Sequence, residues 1–278
     1  MNYPVYKLRD WIKEENLIKL YLYNNINALD LILKKNHKDI DWYHFSMNEN
    51  SNAIEILKKN PNKINWYNLS YNSEAIDLLI SNQDKINWSG FTINKNPKAI
   101  ELLRRNPDKI NWTILSYNSA AIDLLIENQD KINWKYLSSN PAAIDLLISN
   151  QDKINWKHFS SNKHPKAIKL LEMNLNKINW KYLSSNPSAI HLIEKNVDKI
   201  DWSYLCSNPS AIDLLKKNQD KINWVILSSN PAIFEFDYKK MRLNFQDFEE
   251  DLLKAVLHPR RVIRNIELYE YDLDDMYD

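Results

Sequence analysis

Residues 132–156 read INWKYLSSNPAAIDLLISNQDKINW, and the segment ends on the Ile-Asn-Trp with which it begins. Outward in both directions the frame recurs, with tryptophan at 42, 66, 88, 112, 134, 156, 180, 202 and 224, always 22 or 24 residues apart. A fixed period of this length signals stacked supersecondary units. Within one unit, Asn140 followed by Pro141 is an N-cap followed by an N1 proline, which starts a helix. Ala143, Ile144, Leu146 and Leu147 supply an apolar stripe at helical spacing, and Asn150 is expected to end the helix in the left-handed conformation usually given to glycine. Asn155, with Asp41 and Asp201 in its place in two other units, caps a first helix that carries Trp156 and Phe159 on one side.

Helices of about six to ten residues are marginal alone in water, so each pair must bury its stripe against its neighbours. The expected fold is all-α: an α-solenoid of short helix pairs, 22–24 residues per repeat, with N- and C-terminal helical caps. At a helix spacing of about 8–10 Å, the stacked units predict a curved rod roughly 80 Å long. Residues 1–41 read as an N-terminal cap, with Trp11 and a repeat-like Ala28, Leu29, Leu31, Ile32, Leu33 and Asn36. Residues 42–238 hold the tandem repeats. Residues 239–266 hold C-terminal capping helices, with Phe245, Phe248, Leu252, Leu253, Val256 and Leu257 as their apolar face, broken at 258–261. Residues 267–278, with six acids and no base, read as a mobile acidic tail.

Three units are two residues longer, and their insertions fall between the helices, near 48–52, 94–98 and 162–166. The same three carry Phe45, Phe91 and Phe159 where the shorter units carry leucine, a coupling that reads as packing compensation.

Composition narrows the function classes. The 278 residues carry 37 Lys and Arg against 36 Asp and Glu, so a polyanion binder would need a local patch. The 38 asparagines are largely explained as caps. A single glycine, Gly90, excludes phosphate loops and dinucleotide fingerprints built from several glycines. One cysteine, Cys206, precludes an intrachain disulfide, and neither a signal-peptide pattern nor an apolar run of about 18 residues is present, so a soluble intracellular protein is expected.

The unit INWKYLSSNPAAIDLLISNQDKINW, the flanks YKLRDWI at 6–12 and NPAIFEFDY at 230–238, and HPRR at 258–261 resemble the short tandem-repeat family of giant DNA viruses of the mimivirus kind. The resemblance covers nearly the whole chain. It implies a viral product in the host cytoplasm or viral factory, or in the virion, and carries no defined activity or catalytic residues. The flank departs from the unit by the 31-residue interval between Trp11 and Trp42.

Each tryptophan shares a side with the Leu or Phe three residues on, so a buried ring is favoured over a stacking platform for single-stranded nucleic acid. The lysine column Lys63, Lys85, Lys109, Lys131, Lys153, Lys177, Lys199 and Lys221 reads as a ridge neutralised by acids such as Asp77, Glu101, Asp123, Asp145 and Asp213. Tyr136, His158, Tyr182 and Tyr204, at a variable position of the first helix, read either as an exposed aromatic strip or as side chains partly buried between units. The candidate partner-binding residues are Lys95, Lys98, Lys163, His164 and Lys166, because insertions in repeats often map to a binding face. Six histidines lack HxxxH or HExxH spacing, and no cysteine pair completes a zinc site. Cys206 occupies a Ser/Thr column and reads as a tolerated replacement. The expectation is therefore a protein without catalytic residues, metal or cofactor, an interaction scaffold or adaptor for a viral or host protein. The alternatives are a nucleic-acid-binding repeat protein and a virion or viral-factory structural component.

Overall fold

The computed structural model describes residues 5–35 and 40–243. The chain divides into a body of residues 8–234 and a smaller unit that joins 1–7 to 235–278. The closing helix expected through Leu257, the break at 258–261 and the acidic tail lie outside the described residues.

In the body each unit begins with a single-turn helix such as Trp134–Leu137 or Trp156–Phe159. The Asn or Asp before the tryptophan caps it as expected: the Asn133 side chain accepts the Tyr136 N–H and the Asp201 side chain accepts the Tyr204 N–H. The second helix opens on a 3-10 turn, Pro141–Ala143, and continues as Ile144–Ile148. A further 3-10 turn, Gln151–Lys153, leads into the next unit and is a third element that the sequence reading lacks. The all-α solenoid of short helix pairs is thus observed. In the longer units the second helix is a continuous α-helix, Ser51–Lys59, Pro97–Arg105 or Pro165–Glu172, with its own cap at Asn50, Asn96 or His164.

Asn150 does not enter the left-handed region. Its φ is −133° and its ψ 54°, and the equivalent asparagines at 60, 82, 106, 128, 174, 196 and 218 match it. Instead Asn150 Nδ2 donates to the Leu146 carbonyl at 2.9 Å, closing the helix with a side-chain donor. Glycine lacks that donor, which is the physical reason asparagine occupies the column.

Two polar ladders stitch the units together. The first is built from ten asparagines, Asn25, Asn48, Asn72, Asn94, Asn118, Asn140, Asn162, Asn186, Asn208 and Asn230, all at most 1% exposed. Asn140 Nδ2, for example, donates to the Ser116 and Asn118 carbonyls of the preceding unit at 3.1 and 3.2 Å, while its Oδ1 accepts the Ala142 N–H at 3.0 Å. The second ladder is built from hydroxyls. Ser138 Oγ donates to the Trp134 carbonyl at 2.7 Å and accepts the Asn155 N–H of the next unit at 2.9 Å. Cys206 keeps the position with its sulfur, which accepts the Asn223 N–H at 3.3 Å. Tyr23 reaches the same place with its hydroxyl, which accepts the Asp41 N–H at 2.9 Å.

Both ladders run from the last unit into the first. Asn25 Nδ2 donates to the Ser228 and Asn230 carbonyls at 3.2 and 2.9 Å, and the Ile18 N–H donates to Ser228 Oγ at 2.9 Å. Arg9 seals the seam, with its N–H on the Ile233 carbonyl and its Nε on the Ala232 carbonyl. The body is therefore a closed ring of ten units and not the open rod expected from the sequence, each unit turning the stack by roughly 36°. Residues 18–35 are a full repeat: Leu22, Ala28, Leu29 and Ile32 are buried, and Lys19 stands where the other units have tryptophan.

The core repeats with the ladders. Leu137, Ala143, Leu147 and Ile154 are buried, as are their counterparts in most other units. Phe45, Phe91 and Phe159 are fully buried and meet Trp42, Trp88 and Trp156 edge-on at 5.6–5.7 Å, in keeping with the expected link between ring and insertion. Among the described residues no buried side-chain nitrogen or oxygen lacks a partner. Among the described residues, Tyr6–Leu8 and Phe234–Phe236 pair as a two-stranded sheet. In the smaller unit Tyr6 stacks on Phe236 at 5.0 Å, Lys7 pairs with Glu235 at 3.1 Å, and Asp237 caps a helix through the Lys240 N–H.

Candidate functional site

The expected edge residues are separated. Lys95 and Lys163 are exposed on the inserted turns that follow Asn94 and Asn162, and the units of Asn118 and Asn140 lie between those turns. Lys98 and Lys166 sit in the first turn of their helices, not on loops, and each bonds an aspartate of the preceding unit, Asp77 or Asp145, at 2.7 Å. Those bonds hold both aspartate carboxyls below the usual range. His164 is a helix cap, its Nδ1 accepting the Lys166 N–H at 3.1 Å. The five residues therefore form no common site.

The lysine column is not neutralised in the way expected. Lys85, Lys131, Lys153, Lys177, Lys199 and Lys221 place their ammonium groups 4.3–5.1 Å above the rings of Trp66, Trp112, Trp134, Trp156, Trp180 and Trp202, in each case the tryptophan that opens the same unit. Lys109 alone in the column pairs with an acid, Asp108 at 3.2 Å. The repeat tryptophans are half-buried, not buried: the first helix is a single turn, and over six of the rings the lysine at the end of the same unit, not an apolar side chain, forms the roof.

The variable columns of the first helix converge instead. Tyr136, His158, Tyr182 and Tyr204 belong to four consecutive units, are half-buried, and form a continuous strip with ring centroids 5.4, 5.5 and 6.1 Å apart. Lys135, Lys157 and Lys181 are exposed beside it. Their ammonium groups lie 5.5, 5.4 and 4.7 Å from the rings of Tyr136, Tyr182 and Tyr204. Burial, then Lys135 and Lys157, push the His158 pKa down, so the imidazole favours its neutral form. The strip combines both expected readings, partly buried between units and yet continuous. Its lysines are a signal that the sequence reading missed, although Trp-Lys at 134, 156 and 180 marks them.

Elsewhere on the ring the same position is occupied differently. Gly90 stands in the column of Tyr136, and a Cβ there would lie 2.6 Å from Cε2 of Tyr71, whose ring crosses from the preceding unit. Tyr71 donates its hydroxyl proton to the Tyr67 hydroxyl at 3.3 Å; that bond and burial push its pKa up to about 12.

A hollow lined by Asn24, Ile26, Met47, Glu49 and Pro231 holds one carboxylate, and Glu49 accepts the Ser73 hydroxyl at 3.1 Å. Burial raises the Cys206 thiol pKa, against nucleophilic use. Among the described residues no group of three His, Cys, Asp or Glu side chains is placed to hold a metal, and no helix is long and apolar enough to cross a membrane. Comparison of the chain with protein-family models, curated proteins and solved structures finds no match.

Proposed function

We propose that this chain is a non-catalytic scaffold or adaptor that binds a protein partner through the variable positions of its first helices. The division of labour among columns carries this reading. Asn, Ser, Leu and Ala columns are consumed by the ladders and the core. The two positions after each tryptophan change from unit to unit: Tyr43 and His44, Tyr67 and Asn68, Ser89 and Gly90, Lys135 and Tyr136. The first of these positions is exposed at Tyr43, Tyr67, Ser89 and Lys135, whereas the second is buried at Asn68 and Gly90. A constant frame with a varied exposed position suits recognition, and tyrosine is enriched among residues that dominate interface energies. By the resemblance of its repeat, the protein acts in a cell infected by a giant DNA virus.

The test is a tagged pull-down of the full chain from infected host cells, divided into nuclease-treated and untreated halves. A defined protein retained in both halves, and lost with Tyr43→Ser/Tyr67→Ser or Lys135→Ala/Tyr136→Ala variants that melt like the parent, supports the scaffold. Loss of every protein after nuclease treatment overturns it in favour of nucleic-acid binding.

A further inference from the structure

We infer that the Tyr136–His158–Tyr182–Tyr204 strip with Lys135, Lys157 and Lys181 docks an extended acidic peptide segment of a partner protein, one carboxylate to each unit. The inference rests on the scaffold reading and names its partner's chemistry. Three observations lead to it.

The first is charge. The chain is nearly neutral, and Lys98, Lys109 and Lys166 already hold carboxylates. Along the strip three consecutive units each project an exposed lysine, and the charged groups that act on His158, at its centre, are Lys135 and Lys157. This is a local cationic patch on a protein without a cationic excess, and it selects an anionic partner.

The second is which surfaces are open. Base stacking needs a free aromatic face. Here ammonium groups lie over the rings of Tyr136, Tyr182 and Tyr204, and each ring also abuts that of the next unit. The strip thus presents N–H and O–H donors to a visitor, which suits carboxylates better than nucleobases.

The third is spacing. Rings 5.4–6.1 Å apart approximate the interval of about 6.6 Å between alternate residues on one face of an extended chain. A segment with acids at every second position keeps register over four units.

The test uses the full chain and a fluorescein-labelled peptide of alternating glutamate and threonine, followed by fluorescence anisotropy at low and physiological salt. Controls are the same peptide with glutamine for glutamate, and a uridine oligonucleotide of equal charge. The acidic peptide is expected to bind and the glutamine peptide not to bind. K135A/K157A/K181A should weaken binding by at least about tenfold, and Y182A/Y204A should weaken it as well. K95A/K163A, which removes exposed lysines elsewhere, should leave binding within about twofold. Equal loss in K95A/K163A, no binding of the acidic peptide, or tighter binding of the oligonucleotide overturns the assignment. A pull-down partner that survives K135A/K157A/K181A would overturn the strip while leaving the scaffold reading in place.

Discussion

Closure of the ring makes Asn25 the energetic equal of an interior asparagine. Asn140 makes three hydrogen bonds at 0% exposure, two from Nδ2 into the preceding unit and one to Oδ1 from Ala142. Asn25, also at 0%, makes the same three: to Ser228 and Asn230 across the seam, and from the Asn27 N–H. Each bond contributes about 1 kcal/mol net, and truncation leaves buried carbonyls unpaired, which adds about 1–3 kcal/mol. Asn140→Ala and Asn25→Ala should therefore each cost about 4–6 kcal/mol. In an open array Asn25 would keep only its cap bond to Asn27, and its replacement would cost about 1 kcal/mol. Urea unfolding of the full chain, followed by tryptophan fluorescence, gives both values. Hydrogen exchange at the Ile18 amide, which donates to Ser228, reads the seam directly. A cost of about 1 kcal/mol for Asn25→Ala beside about 4 or more for Asn140→Ala, with fast exchange at Ile18 in the parent, would refute closure.

Asn150→Gly should destabilise by about 1–2 kcal/mol in the same urea assay, because it removes the donor on the Leu146 carbonyl and loosens a backbone with negative φ; a stabilising effect would restore the left-handed reading. Tyr67→Phe should return Tyr71 from about 12 toward its ordinary 10.0 in an ultraviolet pH titration. Since a raised folded-state pKa favours the protonated fold, this contribution to stability is present in full below pH 10 and is lost as pH rises toward 12; the parent's extra alkaline loss should vanish in Tyr67→Phe. Lys166→Ala should raise the Asp145 pKa, followed by NMR, with no measurable change in melting, because the pair is exposed.

Local chemistry was legible in the sequence wherever one residue meets its own turn. The caps at Asn133, Asn140 and Asn155 follow from residue type and position, and so does the buried stripe of Ala143, Ile144 and Leu147. What depends on the rotation between units was not legible. Twenty-two residues specify a helix pair but do not state how far it turns from its neighbour, and closure is the sum of those turns. The tryptophan period also hid the first unit, because Lys19 lacks the marker; the asparagine column 25, 48, 72, 94 reveals it at an interval of 23. The contacts of the edge residues were hidden for a related reason: loop position does not show that Lys98 and Lys166 reach back one unit to Asp77 and Asp145. The aromatic strip was half legible, its rings from their column and its lysines only from the pairing of columns in space.

A ring also changes what a repeat unit must do. In an open solenoid the terminal units need a polar outer face because one side has no neighbour. Here the first and last units satisfy each other: Ser228 and Asn230 offer the same acceptors to Ile18 and Asn25 that Ser138 and Asn140 offer to Asn155 and Asn162. No unit is then specialised by its place in the array, and departures from the common sequence need another cause. Some have a packing cause, as Gly90 has in Tyr71 of the neighbouring unit and Phe159 has in the edge-on Trp156 of its own helix. Lys135, Lys157 and Lys181 have none in the core, for they are exposed and the units beside them fold with Ser203 or Thr113 at the same position. A run of three identical exposed departures on adjacent units is a property of the surface they make together, and that shared cationic surface is what the acidic-peptide proposal rests on.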